Sequence, residues 1–239
     1  MFQKYSTPAF EAKYTYTGND LGHQWSRERT HFRLWAPTAA DACVCLYRSG
    51  TEGTDDLIKA IPMCADACGT WVACAEGDWN GVYYTYRVTV NGQQVESIDP
   101  YAVSAGVNGR RGMIIDLRST DPQGWGEDTP PVPPRSETDN VIYELHVRDL
   151  SIDPTSGISA KGKFLGLAEE HTATKSGHPT GLAHILQLGV THIHLLPMYD
   201  YGSVDEAHPE KGYNWGYDPV NYNHPEGSYS TDPFDGFSR

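Results

Sequence analysis

The pattern of apolar and polar positions changes character midway along the chain. Over residues 10–118, short runs rich in β-branched and aromatic residues are separated by Gly, Asp and Asn turns, as strands require. "THFRLWAP" alternates, with Phe32 and Leu34 on one face and Trp35 out of phase with them. "ACVCLYRS" alternates in the same way, and "WVACA" and "GVYYTYRVTVNGQQV" follow. The last holds Asn91-Gly92 between two strand-like runs, which predicts a hairpin with a type I′ turn. "RGMIIDL" reads as one more short strand. Turn signals recur about every ten residues, which predicts an all-β, immunoglobulin-like sandwich over residues 1–118.

Residues 119–139, "STDPQGWGEDTPPVPPRSETD", form a Pro-rich, acidic linker. Prolines 130, 131, 133 and 134 force extended backbone without amide donors, so a domain boundary is placed here. Residues 140–239 then follow a different grammar. "NVIYELHVRDL" is nearly continuous in apolar residues, as a buried parallel strand is. "PTGLAHILQLGV" sets Leu182, Ile185, Leu186 and Leu188 on a helical stripe, with Gly189 suited to the C-terminal stop. "THIHLLPMYD" predicts a second buried strand. Strand, helix, strand in this order is a βαβ unit, the opening of an α/β barrel or a doubly wound sheet.

Composition narrows the function classes. A net charge of −13 argues against a nucleic-acid partner, which needs clustered Lys and Arg. It is compatible with a neutral, polyhydroxylated ligand, and equally with a merely solvated surface. No apolar run approaches the roughly 20 residues that span a bilayer, and "MFQKYSTPAFEAKY" lacks an apolar signal core, so no membrane partner and a cytoplasmic location are expected. The five cysteines include Cys43/Cys45 on one strand and Cys64/Cys68 spaced C-x₃-C. No second ligand pair matches them, so buried free thiols are expected rather than zinc.

Candidate chemistry concentrates near the C-terminus. "KGYNWGYDPVNYNHPEGSYSTDP" (residues 211–233) mixes Tyr and Trp with Asn, Asp, Gly and Pro, and reads as neither a regular helix nor a long strand. Sugars present C–H faces that pack on aromatic rings and hydroxyls that need amide and carboxylate partners. A turn-rich loop packed on itself has the same composition. Asp200, at the end of the second predicted strand, is placed either to contact substrate or to orient the following loop. His192 and His194 form H-x-H early in that strand, where packing is expected over a metal site. Glu144, His146 and Arg148 alternate on the preceding strand and are expected to form a hydrogen-bonded network. Among Trp35, Trp71 and Trp79, core packing is expected for Trp35, while the other two remain open as a sugar platform.

"VIYELHVRDLS", "THIHLLPMYD" and "YNWGYDPVNYNHPEGSYSTDP", in that order, resemble the start of the catalytic barrel of type I pullulanases, debranching enzymes of the α-amylase superfamily (glycoside hydrolase family 13). "HFRLWAPTAADACVCLY", "GVYYTYRV" and "DPYAVSAGVNGRRGMIIDL" resemble the carbohydrate-binding module of family 48 that precedes that barrel. The resemblance implies an incomplete (β/α)₈ barrel after the sandwich and retaining hydrolysis of α-1,6-glucosidic bonds. That chemistry needs two carboxylates about 5 Å apart. The resemblance places them on later barrel strands, and a closed barrel takes around 250 residues. The acid, nucleophile and third carboxylate are therefore expected beyond residue 239, and the chain alone is expected to be inactive. By resemblance, Tyr217 stacks on the glucose beside the scissile bond, Asp218 supports that site by pairing with a basic residue elsewhere, and Asn214 and Trp215 shape the loop. The implied partner is an α-glucan such as pullulan, glycogen or limit dextrin. No cofactor is expected, and no calcium ligand set can be read. Unpaired strand edges in the partial barrel are expected to promote self-association. The alternative reading is a non-catalytic glycan-binding or scaffold protein derived from a debranching enzyme.

Overall fold

The computed structural model describes residues 5–53, 55–132 and 135–239. Pro133 and Pro134 of the predicted proline cluster lie outside these. The chain divides into two compact units, Met1–Ser119 with Phe234–Phe237, and Thr120–Pro233 with Ser238–Arg239.

The first unit opens with helix α1 (Pro8–Tyr14), which the hydrophobic pattern does not predict. Its signal is local: the Thr7 hydroxyl accepts from Phe10 N at the N-cap, and Pro8 follows where no amide donor is needed. Strands β1 (Gly22–Trp25), β2 (Arg29–Trp35), β3 (Asp41–Tyr47), β4 (Leu57–Pro62), β5 (Cys64–Ala65), β6 (Thr70–Glu76), β7 (Tyr83–Val90), β8 (Gln93–Ser97) and β9 (Gly112–Met113) follow. They form two antiparallel sheets, β1-β2-β6-β5 and β4-β3-β7-β8, with β9 also pairing β7. The β7–β8 turn is the predicted one, with Asn91 and Gly92 both at positive φ (52° and 76°).

Inward residues of both sheets meet in one core: Phe32 and Ala75 from one, Val44, Leu46, Tyr84 and Tyr86 from the other. Burying each large side chain contributes roughly 1.5–3 kcal/mol. Trp71 and Trp79 are partly buried against this core, which leaves no exposed platform there. Trp35, expected inside, faces out at 44% exposure, because Phe32 fixes the inward phase of β2. All five cysteines are free thiols, but only Cys45 is fully buried, and Cys64 and Cys74 are exposed. The returning segment Phe234–Phe237 is stitched to this unit. Tyr83 OH donates to Phe234 O (3.0 Å), Gly236 N donates to Tyr83 OH (3.1 Å), and Ser104 Oγ donates to Gly236 O (2.6 Å).

In the second unit, β10 (Ile142–Leu145) pairs in parallel with β11 (His192–Leu195), and helix α2 (Gly181–Leu188) lies between them in sequence. Gly189 ends α2 in the left-handed region (φ 67°), as predicted. The predicted strand "THIHLLPMYD" is divided by Pro197 into β11 and β12 (Tyr199–Tyr201), since proline cannot donate to a ladder. β12 pairs antiparallel with β13 (Pro219–Pro225). β13 lies inside the segment read as unable to form a long strand; Asn and Tyr alternate there well enough to pair. Two expectations of burial are corrected. Ile142 is 64% exposed on β10, and His192, Ile193 and His194 are exposed on β11. On α2 only Ile185 of the stripe is fully buried, with Leu186 and Leu188 exposed. A small buried cluster of Val147, Tyr201, Val204 and Tyr229 anchors this unit.

Candidate functional site

The "YNWGYDP" segment is the connection between β12 and β13, and its shape is set by Asn214. The Asn214 side-chain amide donates to Ser203 Oγ and to Asp218 Oδ1. Its carbonyl oxygen accepts from Gly216 N at 2.7 Å, a local side-chain turn. Gly216 sits at φ 85°, and a Cβ there would lie 2.3 Å from Pro197 O, so only glycine fits. The clamp presents Tyr217 outward at 67% exposure. Trp215 and Tyr213 are also exposed, but their polar ends are held. Trp215 Nε1 donates to Tyr213 OH (2.7 Å), and Tyr213 OH donates to Asp149 Oδ2 (2.5 Å). Burial works to raise the Asp218 carboxyl, but hydrogen bonds from Asn214 and Ser203 outweigh it and hold it below the usual range. Asp218 is therefore an ionised acceptor at neutral pH.

Beneath the loop lies a cavity of about 190 Å³ lined by Arg148, Lys163, Tyr201, Val204, Tyr213 and Tyr229. His146 binds its floor together, with Nε2 2.7 Å from Tyr229 OH and Nδ1 3.2 Å from Asp149 Oδ2. Arg148 reaches Asp149 at 3.2 Å and lies 5.3 Å from the centre of the Tyr213 ring. At Asp149 the burial effect is again outweighed, by the Tyr213 hydroxyl, His146 and Arg148, so the carboxyl stays low. Burial lowers the Lys163 ammonium, which donates to Ser228 O at 2.8 Å. The expected network of alternating polar residues thus contains His146 and Arg148 but not Glu144. Glu144 is exposed and stands 3.7 Å from His194.

Asp200 does not stand on the open face. It is 1% exposed, with Oδ1 bound by Arg239 Nη1 (3.1 Å) and Oδ2 by Asn221 Nδ2 (2.6 Å). Its expected substrate contact is corrected, because the carboxylate is buried and already paired with Arg239 and Asn221. Arg239 also binds Glu206 and donates to Pro225 O (3.0 Å). Asp200, Glu206 and Glu226 place oxygens within 4.8 Å of one another, the one such potential metal-ligand set among the described residues. A guanidinium already supplies the cation there. Burial raises the Glu226 carboxyl despite donors at Tyr201 N and Ser228 N. The set therefore does not suit a divalent ion. Burial, reinforced by Arg239, holds His224 beside it at about 4, so the imidazole is neutral.

Structure thus places Asn214, Trp215, Tyr217 and Asp218 on one clamped loop and buries Asp200 with Arg239 and Asn221. Sequence reasoning missed Ser203, Asp149, Glu206, Glu226 and Arg239. Their only signal is polarity in a segment otherwise poor in regular structure.

Comparison with known proteins gives this arrangement a context. Residues 20–102 match the family model Carbohydrate-binding module 48 (Isoamylase N-terminal domain). A pullulanase of Bacillus subtilis (strain 168) is 38% identical over 230 residues, which is 96% of this chain and 30% of that protein. Chloroplastic pullulanase 1 of Arabidopsis thaliana is 32% identical, over 92% of this chain and 26% of that protein. A crystal structure of pullulanase from Paenibacillus barengoltzii, in complex with maltohexaose and alpha-cyclodextrin, superposes with a TM-score of 0.93 at 55% identity. It covers 98% of this chain and 36% of its own. The chain spans about a third of the length of such relatives.

Proposed function

We propose that this chain, which belongs to the pullulanase family, is the N-terminal, glucan-handling portion of an enzyme that hydrolyses α-1,6-glucosidic branch linkages. The observation that carries the reading is the outward Tyr217 ring on a loop clamped by Asn214, within a chain similar to pullulanases over nearly its whole length. The ring face takes the C–H face of a glucose unit, and the neighbouring Asp218 carboxylate serves as a fixed acceptor. Asn214 holds the two in register, and Trp215 braces the loop through Tyr213 and Asp149.

In this reading β10, α2 and β11 are the opening βαβ unit of a (β/α)₈ barrel. The apolar side chains exposed on β10 and β11 are then positions that further strands and helices cover. The paired carboxylates of a retaining mechanism, one acid and one nucleophile, belong to those further strands. The chain's own contribution is to bind and orient the glucan.

Calorimetric titration with maltotriose tests the role of Tyr217. Tyr217→Ala is expected to weaken affinity about tenfold, or about 1.4 kcal/mol, with no change in thermal midpoint because the ring is exposed. Equal affinity in both proteins would remove the stacking role.

A further inference from the structure

The cavity beneath the Asn214-clamped loop concentrates positive charge in a chain that is acidic overall. The sequence has 18 Lys and Arg against 31 Asp and Glu. Yet Arg148, Lys161 and Lys163 all line this space, against a single acidic residue, Glu210, among the described residues. Glu210 is itself exposed and stands 3.7 Å from His208 Nδ1. Gly162, at φ 69°, turns the chain between the two lysines, so both reach the same cavity.

Two of these cations have donors to spare. Among the described residues Lys163 hydrogen-bonds only Ser228 O, at 2.8 Å, and an ammonium has three donors. Burial works against its charge despite the nearby Glu226, so an anion in the cavity would stabilise the charged form. Among the described residues Arg148 hydrogen-bonds only Asp149, at 3.2 Å, and a guanidinium has five donors. That carboxylate is shared: it also accepts from Tyr213 OH (2.5 Å) and stands 3.2 Å from His146 Nδ1. Lys161 is better satisfied, by Asp153 O (2.7 Å) and Ser156 Oγ. The volume of about 190 Å³ falls below the roughly 300–1,000 Å³ of organic-ligand sites, so it suits a compact ion rather than a sugar ring. An ammonium is a point donor and a guanidinium a fork. Together they suit the several oxygens of a tetrahedral oxyanion better than the two of a carboxylate.

We propose that this cavity binds a small tetrahedral oxyanion, phosphate or sulfate, between Lys163 and Arg148, with Lys161 at its rim. The site is independent of the glucan reading. Arg148 lies 5.3 Å from the centre of the Tyr213 ring, and Tyr213 OH accepts from Trp215 Nε1 (2.7 Å), so an ion here bears on the Trp215 indole.

Nitrogen-resolved NMR of the tryptophan indoles in the full chain tests it, with inorganic phosphate exchanged for chloride at constant ionic strength. The Trp215 signal is expected to shift saturably, while the sandwich indoles of Trp25, Trp35, Trp71 and Trp79 stay still. About tenfold more phosphate is expected to be needed in Lys163→Met, and likewise in Arg148→Gln, which carries the test should Lys163→Met not fold. Lys163→Arg is expected to retain binding. The dispersed indole spectrum shows that each variant is folded. No saturable shift, or one shared by the sandwich indoles, would overturn the site. Unchanged affinity in folded Lys163→Met or Arg148→Gln would do the same. Acetate binding as tightly as phosphate would overturn the tetrahedral assignment.

Discussion

His23 shows how far a single half-buried residue can set the behaviour of the sandwich. Its Nδ1 lies 3.0 Å from Tyr84 OH and its Nε2 accepts from Ile115 N at 3.4 Å. Burial holds it at about 4, against 6.5 for the free side chain. Between those values the unfolded chain binds a proton that the folded chain does not. The stabilisation is complete above pH 6.5 and is lost as pH falls towards 4, by about 3 kcal/mol at 1.36 kcal/mol per pH unit. Asp99, raised by burial, contributes the opposite slope. Urea midpoints of wild type and His23→Gln between pH 7 and 4 isolate the histidine's share. The wild-type midpoint is expected to fall more steeply; parallel curves would contradict this. At this scale a short motif singles out Tyr217 and Asp218, whose part in glucan binding is the proposal made above. The sequence misled at Trp35, since alternation alone does not say which face is inward, and at Asp200, since nothing local announces Arg239 as its partner.

Elements were legible where local chemistry is decisive. Asn91-Gly92 dictates the β7–β8 turn, and Gly189 stops α2. β1, β4 and β5 escaped notice because they are short or exposed, and their pairing depends on neighbours distant in sequence. β12 and β13 depend on the buried ion group for their mutual placement. Arg239, Asp200 and Glu206 side chains are each 1% exposed or less. Arg239→Met would leave two carboxylates buried without their cation. A loss of about 3–5 kcal/mol is expected, read from urea unfolding followed by fluorescence of this unit's tryptophans. A loss below 1 kcal/mol would show that the ion group does not hold these strands.

The whole molecule combines a sandwich with its own two-sided core and a second unit whose buried apolar cluster is small. Hydrogen exchange is expected to be slower for β2, β3, β6 and β7 than for β10 and β11, and equal protection would contradict that ranking. The exposed Ile142, Leu186 and Ile193 also lead us to expect self-association at high concentration. The β content and the change of grammar after the linker were readable from periodicity. The exposure of β10 was not, because an apolar run states what a strand is suited to face, not what covers it. The proposed function places glucan contacts on this chain and paired catalytic carboxylates elsewhere. The most direct test is to incubate the pure, folded 239-residue chain with pullulan and count reducing ends. No release above the buffer control is expected. Measurable release would mean that the chain carries a working acid and nucleophile of its own, and would contradict this placement.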